Sequence, residues 1–416
     1  MFRPVALFIG LRYLRARRRN HFISFIALIS MIGIALGVTV LITVLSVMNG
    51  FDREIQKRVF SVVPAITVSS NTGYIKNWES LQKLLNGFSD IKASAPFATG
   101  EVLLNHGGAV QSALMMGILP KDEKNILPIL NHLTEGSLSA LKAHQFGIVL
   151  GEDLAHLLMV HLGDKVTVVT PEVSLTPLGV IPRFKRFTVV GTFRSGSGFG
   201  FDKGLAFVQL KDAQVLFGLQ NQITGLHLKV DHVFQAPLIA KNLSHELTDN
   251  AVVTSWADEF GAFFHAIKLE KNMMFLILLL IIAVAAFNLI TTLVMVVNEK
   301  QSDIAILRTY GATPSTIMSI FIIQGGLIGL FGTGIGIIGG LLLASHVTEI
   351  VDGIQNLFNI QFLSSSVYFV DYLPSYIEIG DVIRISCIAV ILSFLATLYP
   401  AWRAAKLNPV ESLRYE

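Results

Sequence analysis

Residues 272–314 read NMMFLILLLIIAVAAFNLITTLVMVVNEKQSDIAILRTYGATP, and this stretch decides how the rest of the chain folds. From Met273 to Asn298 it carries no charge, which is enough apolar length to cross a bilayer core as one helix with its backbone groups satisfied internally. Glu299 to Gly311 follows without a linker and reads as a short polar helix. Ile304, Leu307 and Tyr310 fall at i, i+3 and i+6 on one stripe of it, with Asp303 and Arg308 alongside. Gly311 suits a left-handed helix stop, and Thr313-Pro314 suits an N-cap and first-turn proline for the next helix. A membrane rod thus ends in a small cytoplasmic handle. The handle reads either as a connector lying on the surface or as a docking element for a cytoplasmic motor.

Outward from this stretch, composition agrees with a membrane protein that carries a sizeable soluble part. The 416 residues are 52% hydrophobic and 15% charged with a mean hydropathy of +0.61, too apolar for a soluble domain, yet long apolar runs are too few for a chain wholly in membrane. The other charge-free runs are Phe22–Phe51, Thr309–Ser345 and Ile385–Trp402. Six arginines from Arg3 to Arg19, with no acid among them, precede the first run and fix the N-terminus in the cytoplasm. That run is longer than a secretory core and lacks a small-x-small cleavage site, so it reads as a retained anchor. His346–Asp381 holds Glu349, Asp352, Asp371, Glu378 and Asp381 but no Lys or Arg, as expected outside the cytoplasm. The third run reads as one long helix, and its glycines between Gly325 and Gly340 include four-residue spacings that let another backbone come close.

The expected fold is an α-helical membrane domain of four transmembrane helices, with a large α+β extracytoplasmic domain inserted between helices 1 and 2. The segments are a cytoplasmic interfacial stretch (1–20), helix 1 (21–51), the inserted domain (52–271), helix 2 (272–298) and the cytoplasmic coupling segment (299–313). Helix 3 (314–345), a short outer loop (346–384), helix 4 (385–402) and a cytoplasmic tail (403–416) complete the chain.

In the inserted domain, β-rich segments recur at 65–68, 109–116, 147–150, 165–170, 186–190, 205–209 and 226–230. Helical patterns intervene at 75–88, 151–159, 213–219 and 234–248, and the whole reads as an α+β domain of two lobes. Between two of the strands lies Pro171–Pro182, with Pro171, Pro177 and Pro182 stiffening a loop that presents Leu175, Leu178 and Ile181. Either it folds onto its own domain or it projects as a partner site, with Arg183 and Lys185 as a charged rim.

Catalytic and metal-binding constellations are missing from the sequence. The eleven histidines are scattered, Cys387 stands alone, and there is neither a G-x-S-x-G elbow nor a phosphate-cradling G-x-x-x-x-G-K-[ST] loop. The spans hold no Asp, Glu, Lys or Arg of the kind that ion-coupled carriers use, so energy must come from elsewhere. The near-balanced charge gives no pointer to nucleic acid, and no such partner is expected.

Several motifs together resemble the lipoprotein-releasing (Lol) permeases of the LolC/LolE type, within the superfamily of FtsX- and MacB-like ABC transporter subunits. They are Pro4–Tyr13, Val44–Phe51, Glu270–Met274, Ala283–Asn288, the handle, Tyr399–Ala405 and Glu411–Glu416, in order along the whole chain. The resemblance implies a bacterial inner-membrane complex of two permease chains, the second either LolE-like or identical. A LolD-like ATPase dimer, separate from this chain and carrying the ATP and magnesium, would dock on the handles through Glu299, Lys300, Ile304, Leu307 and Arg308. The cargo would be a lipoprotein, passed to the periplasmic carrier LolA, and Pro171–Pro182 lies where LolC-type chains carry their carrier-docking hook. In the rim beneath it, Thr167 is not basic and Phe184 is not polar, a departure from that pattern. Val44, Val47, Met48 and Phe51 at the outer end of helix 1, and Met273, Met274 and Leu278 at the start of helix 2, are the expected lipid-binding wall, since methionine adapts to irregular acyl shapes. The alternative reading is an FtsX-like scaffold that transmits ATP-driven movement to a periplasmic enzyme. A MacB-like efflux partner is disfavoured because that family carries its ATPase on the same chain.

Overall fold

The computed structural model describes residues 8–10, 21–176, 179–196, 198–247, 250–358 and 372–407. The chain divides into a membrane unit, Met1–Arg53 with Ile267–Leu363 and Tyr372–Glu416, and a periplasmic unit, Glu54–Ala266 with Ser364–Asp371. Helix α1 spans His21–Val62 and so runs eleven residues past Phe51, where the charge-free run ends. Its extension, with Ile55, Val59 and Phe60, packs on the periplasmic core, so burial continues the helix beyond the apolar signal.

Ten strands make up the periplasmic sheet: β1 (Ile66–Ser70), β2 (Ile91–His106), β3 (Ala109–Ile118), β4 (Glu135–Gly136), β5 (Gly147–Gly151), β6 (Lys165–Thr176), β7 (Gly179–Phe193), β8 (Leu205–Gln209), β9 (Gly225–Val230) and β10 (Ala251–Ser255). Their order is β10-β1-β9-β2-β3-β8-β5-β7-β4, and β6 bridges β2 and β7. The path β2-β3-β8-β5-β7-β6 therefore returns to β2 and closes a barrel. An open sheet of β9, β1 and β10 leaves from the first half of β2, where Ile91–Phe97 pair with β9. The two expected lobes are thus one hydrogen-bonded sheet, joined by a sixteen-residue strand that is not among the expected β segments. Val102, Leu104, Met115, Ile148, Val166, Val168, Phe187 and Val208 fill the barrel side of the core. Helices α2 (Trp78–Leu85), α3 (Glu152–Leu158), α4 (Leu210–Phe217) and α5 (Ala236–Glu246) fall at the four expected helical patterns.

Helix α6 (Trp256–Glu299) leads into the handle α7 (Gln301–Thr309), followed by α8 (Pro314–Phe358) and α9 (Ile379–Ala405). Together with α1 these give, among the described residues, four helices long and apolar enough to cross a membrane, and α8 is one continuous helix. One side of its glycine stripe meets α9 and α6: a Cβ at Gly329 would fall on the Ser393 side chain, and one at Gly325 on Thr397 and Leu293. The other side meets α1, where Gly332, Gly336 and Gly340 lie against Ile34, Val38 and Ile42. The stripe is a packing surface, as small residues in a lipid medium lead one to expect.

Candidate docking and extraction surfaces

β6 and β7 pair in antiparallel register from Lys165↔Thr188 to Val169↔Phe184, skip, and pair again from Val173↔Pro182 to Thr176↔Gly179. Only Thr167–Val169 of β6 also pair with β2, so past the skip the two strands form a two-stranded ribbon that pairs with itself. The segment read from the sequence as a loop is therefore a hairpin, with Leu175 opposite Val180, Ile181 opposite Ser174 and Pro182 opposite Val173. Pro177 and Leu178, at its turn, lie outside the described residues. Prolines fit such a ribbon because neither strand needs every N–H for a further neighbour.

At the base of the ribbon Pro171 is exposed, and Arg183 is half-buried with its guanidinium against Gly218, the left-handed cap of α4. Lys185 is exposed and stacks over the Phe146 ring at 5.6 Å. The register aligns Ser112, Leu103, Val169 and Phe184 in one cross-strand row over β3, β2, β6 and β7. Leu103 is 48% and Phe184 62% exposed, so the outer face beneath the ribbon carries an apolar strip flanked by Lys185 and Arg186. Phe184 stands out in the sequence and Leu103 does not, because Val102-Leu103-Leu104 is uniformly apolar and hides the alternation that turns only Leu103 outward.

Of the expected lipid wall, Met273 is the most open at 61% exposure, and Val44, Val47, Met48, Phe51 and Met274 are half-buried. Leu278 does not belong to it. It is buried in the bundle core with Leu41, Leu45, Ile282 and Ile385, since it lies on the inner side of α6 while Leu276, Ile277 and Leu280 face outward.

The handle departs from its expected orientation. Ile304 is 1% exposed and Leu307 half-buried, both packed on Val296, Val297, Ile317, Phe321, Ala401 and Ala404. Ile304 and Leu307 therefore anchor the handle to the membrane unit and do not present themselves to a partner, because turning inward covers the ends of three helices, while Tyr310, the C-cap, leaves their stripe and faces outward. Lys300 pairs with Asp303 at 2.8 Å, the Arg308 guanidinium donates to the Leu407 carbonyl, and Glu299 is exposed. Gly311 adopts φ +92° directly after the handle, the left-handed stop expected of it, and the Thr313 hydroxyl accepts the Thr316 N–H at the start of α8. The outward face carries Ile306 at 46% and Tyr310 at 86% exposure, one turn apart.

Comparison with known proteins matches these parts in the same order. Residues 27–246 fit the family described as MacB-like periplasmic core domain, and residues 275–409 the FtsX-like permease C-terminal family. The lipoprotein-releasing system transmembrane protein LolC of Neisseria meningitidis serogroup B is 46% identical over 98% of both chains. LolC of Xylella fastidiosa strain 9a5c is 42% identical over the full length of both. LolE of Haemophilus influenzae is 35% identical over 98% of both.

Proposed function

The chain belongs to the LolC/LolE family of lipoprotein-releasing system transmembrane proteins, and from that premise we propose that it draws lipoproteins out of the inner membrane and hands them to a LolA-type periplasmic carrier through the β6–β7 ribbon. It is a multi-pass inner-membrane permease and not an enzyme, working with an ABC ATPase and a second permease chain. ATP and magnesium belong to that ATPase. It docks on the outward handle face around Ile306 and Tyr310, with Glu299 at its edge, while Ile304 and Leu307 hold the handle in place.

The energetics favour a hand-over. A buried methylene contributes about 0.8 kcal/mol, so bringing a triacyl anchor into water costs on the order of 30 kcal/mol, far beyond one ATP. The acyl chains need an apolar surface at every stage: first the wall of Val44, Val47, Met48, Phe51, Met273 and Met274, then the carrier. The observation that carries the reading is the ribbon's self-pairing above an exposed apolar strip. It is an arm with a landing surface, the arrangement a transient protein partner requires.

Photocrosslinking from position 178, in membranes containing the carrier, tests the arm. A carrier adduct is expected, together with loss of transfer in Leu178→Glu while lipoprotein still binds the permease. A crosslink confined to the same chain would remove the docking assignment. In the same membranes Tyr310→Asp should abolish lipoprotein-stimulated ATP hydrolysis without affecting insertion. Unchanged stimulation would place the motor contact elsewhere.

A further inference from the structure

Within two of the motifs that carry the family resemblance, Val44–Phe51 and Glu270–Met274, the polar residues Asn49 and Lys271 converge on one carboxylate. Asp381, in the first turn of α9, is 8% exposed. Its Oδ2 accepts from Asn49 Nδ2 at 2.9 Å and lies 3.2 Å from Lys271 Nζ. Lys271 also reaches Glu378 Oε2 at 3.4 Å, and Arg384 approaches the other Asp381 oxygen at 3.9 Å. The segment leading into α9 crosses the same end of α1. Tyr376 N–H donates to the Ser46 carbonyl at 2.8 Å, the Arg53 guanidinium stacks 4.2 Å over the Tyr376 ring, and a Cβ at Gly50 would fall on the Pro374 carbonyl.

One carboxylate therefore ties three helices together at the outer boundary of the membrane. Asn49 lies between Met48 and Phe51 of the lipid wall, and Lys271 lies two residues before Met273. Valine and methionine side chains slide past one another with little change in energy, so the wall residues alone do not set how far apart α1 and α6 stand. A carboxylate held between an amide and an ammonium does set it. The buried Asp381 carboxylate is costly to leave without its ammonium partner, and the directional bond to Asn49 fixes the remaining freedom.

We infer that Asp381 is a positioning residue for extraction: by holding Asn49 and Lys271 it fixes the separation of α1 and α6, and so the spacing of the two halves of the proposed lipid wall, Val47, Met48 and Phe51 on one and Met273 and Met274 on the other. The inference rests on the extraction route proposed above, and its test separates the two.

Spin labels at Val40→Cys and Ile277→Cys, both exposed in the spans, would be introduced with Cys387→Ser into the complete complex in nanodiscs, and the interlabel distance measured. A narrow distribution is expected for the parent and for Lys271→Arg, widening at least twofold in Asp381→Asn and in the less buried Lys271→Met. An unchanged width in both would overturn the inference whatever the complex transports. Lipoprotein released per ATP hydrolysed is then read in proteoliposomes at equal amounts of assembled complex, a ratio that lower yield alone does not move. It should fall at least tenfold in Asp381→Asn and Lys271→Met and stay within twofold in Lys271→Arg. A ratio within twofold of the parent in both variants, despite a wider distribution, would also overturn the inference. A parent complex that releases no lipoprotein would instead overturn the reading of the function, and with it the role given to the spacing.

Discussion

The two units of this chain are held together by opposite means. The periplasmic unit folds in water, buries large side chains such as Phe187, Phe193 and Phe207, and keeps buried ionisable groups such as Glu123 and Asp212 each in hydrogen-bonding contact with a partner. The membrane unit has no water to leave, so its helices gain little from burying leucine and instead bring backbones together at Gly325, Gly329, Gly332, Gly336 and Gly340. In the first a lost polar partner should be the costliest change. Between the spans of the second it should be an added methyl group.

The sharpest test on the water-folded side is the pair of Glu123 and His227. Glu123 Oε1 lies 2.6 Å from His227 Nδ1, with side-chain exposures of 0% and 3%, and the imidazole is stacked on Phe97 at 3.9 Å. Glu123→Ala removes one partner of a dry polar contact and leaves the other buried. A loss of about 3–5 kcal/mol is expected in urea unfolding of the full chain in detergent, followed through Trp78 and Trp256. A loss below about 1 kcal/mol would mean that the surroundings satisfy His227 without Glu123.

On the membrane side the paired test is Gly329→Ala against Gly326→Ala. A methyl group at Gly329 would fall on Ser393 of α9, whereas one at Gly326 meets nothing within 4 Å. Overpacking of this kind costs about 1–3 kcal/mol, and relief from glycine's helix penalty makes the second change neutral or slightly favourable. Thermal unfolding in detergent followed by Trp402 fluorescence reads the difference. Equal effects at the two positions would break the proposed contrast between the units.

The same contrast explains how much was legible in the sequence. Spans announce themselves because lipid demands long uncharged runs, and four were read, along with the glycine face and the Gly311 stop. What lay beyond the lipid was harder. β2 contains Pro96 and Gly100 and a run of small residues, so it lacks the β-branched and aromatic signal of a strand. It is a strand because its neighbours make it one, with Gly100 leaving room for the Phe217 ring. The handle's stripe was visible, but periodicity gives a face and not the direction in which it points. Ile304 turns inward because the nearest apolar surface is the chain's own, and the same want of direction makes Leu278 look like part of the wall in the sequence. The meeting of Asn49, Lys271 and Asp381 spans more than three hundred positions and left no local signal beyond the polarity of its members.

The smallest expected effect is also the one whose sign is most informative. Asp212 on α4 is fully buried and accepts the N–H groups of His144 at 2.6 Å and Phe146 at 2.9 Å, two residues held at φ +63° and +52°. Burial pushes its carboxyl above the ordinary value of 3.8, and the two backbone N–H groups, which favour the charged form, offset this only in part. The stability this group contributes is therefore fully present below the ordinary carboxylate pKa and is lost as pH rises through the raised one. Asp212→Asn cannot ionise. Its amide oxygen still accepts one N–H, while its NH₂ group meets the other, at a cost of about 1 kcal/mol. The variant should thus be less stable than the parent at pH 4, and the gap should narrow as pH rises to 7, because ionisation in the unfolded state draws on the parent alone. Urea midpoints of the two proteins at both pH values decide the matter. A gap that widens with pH would mean that the two backbone donors outweigh burial, and that the strained turn at His144 and Phe146 is held by a carboxylate and not by a neutral acid.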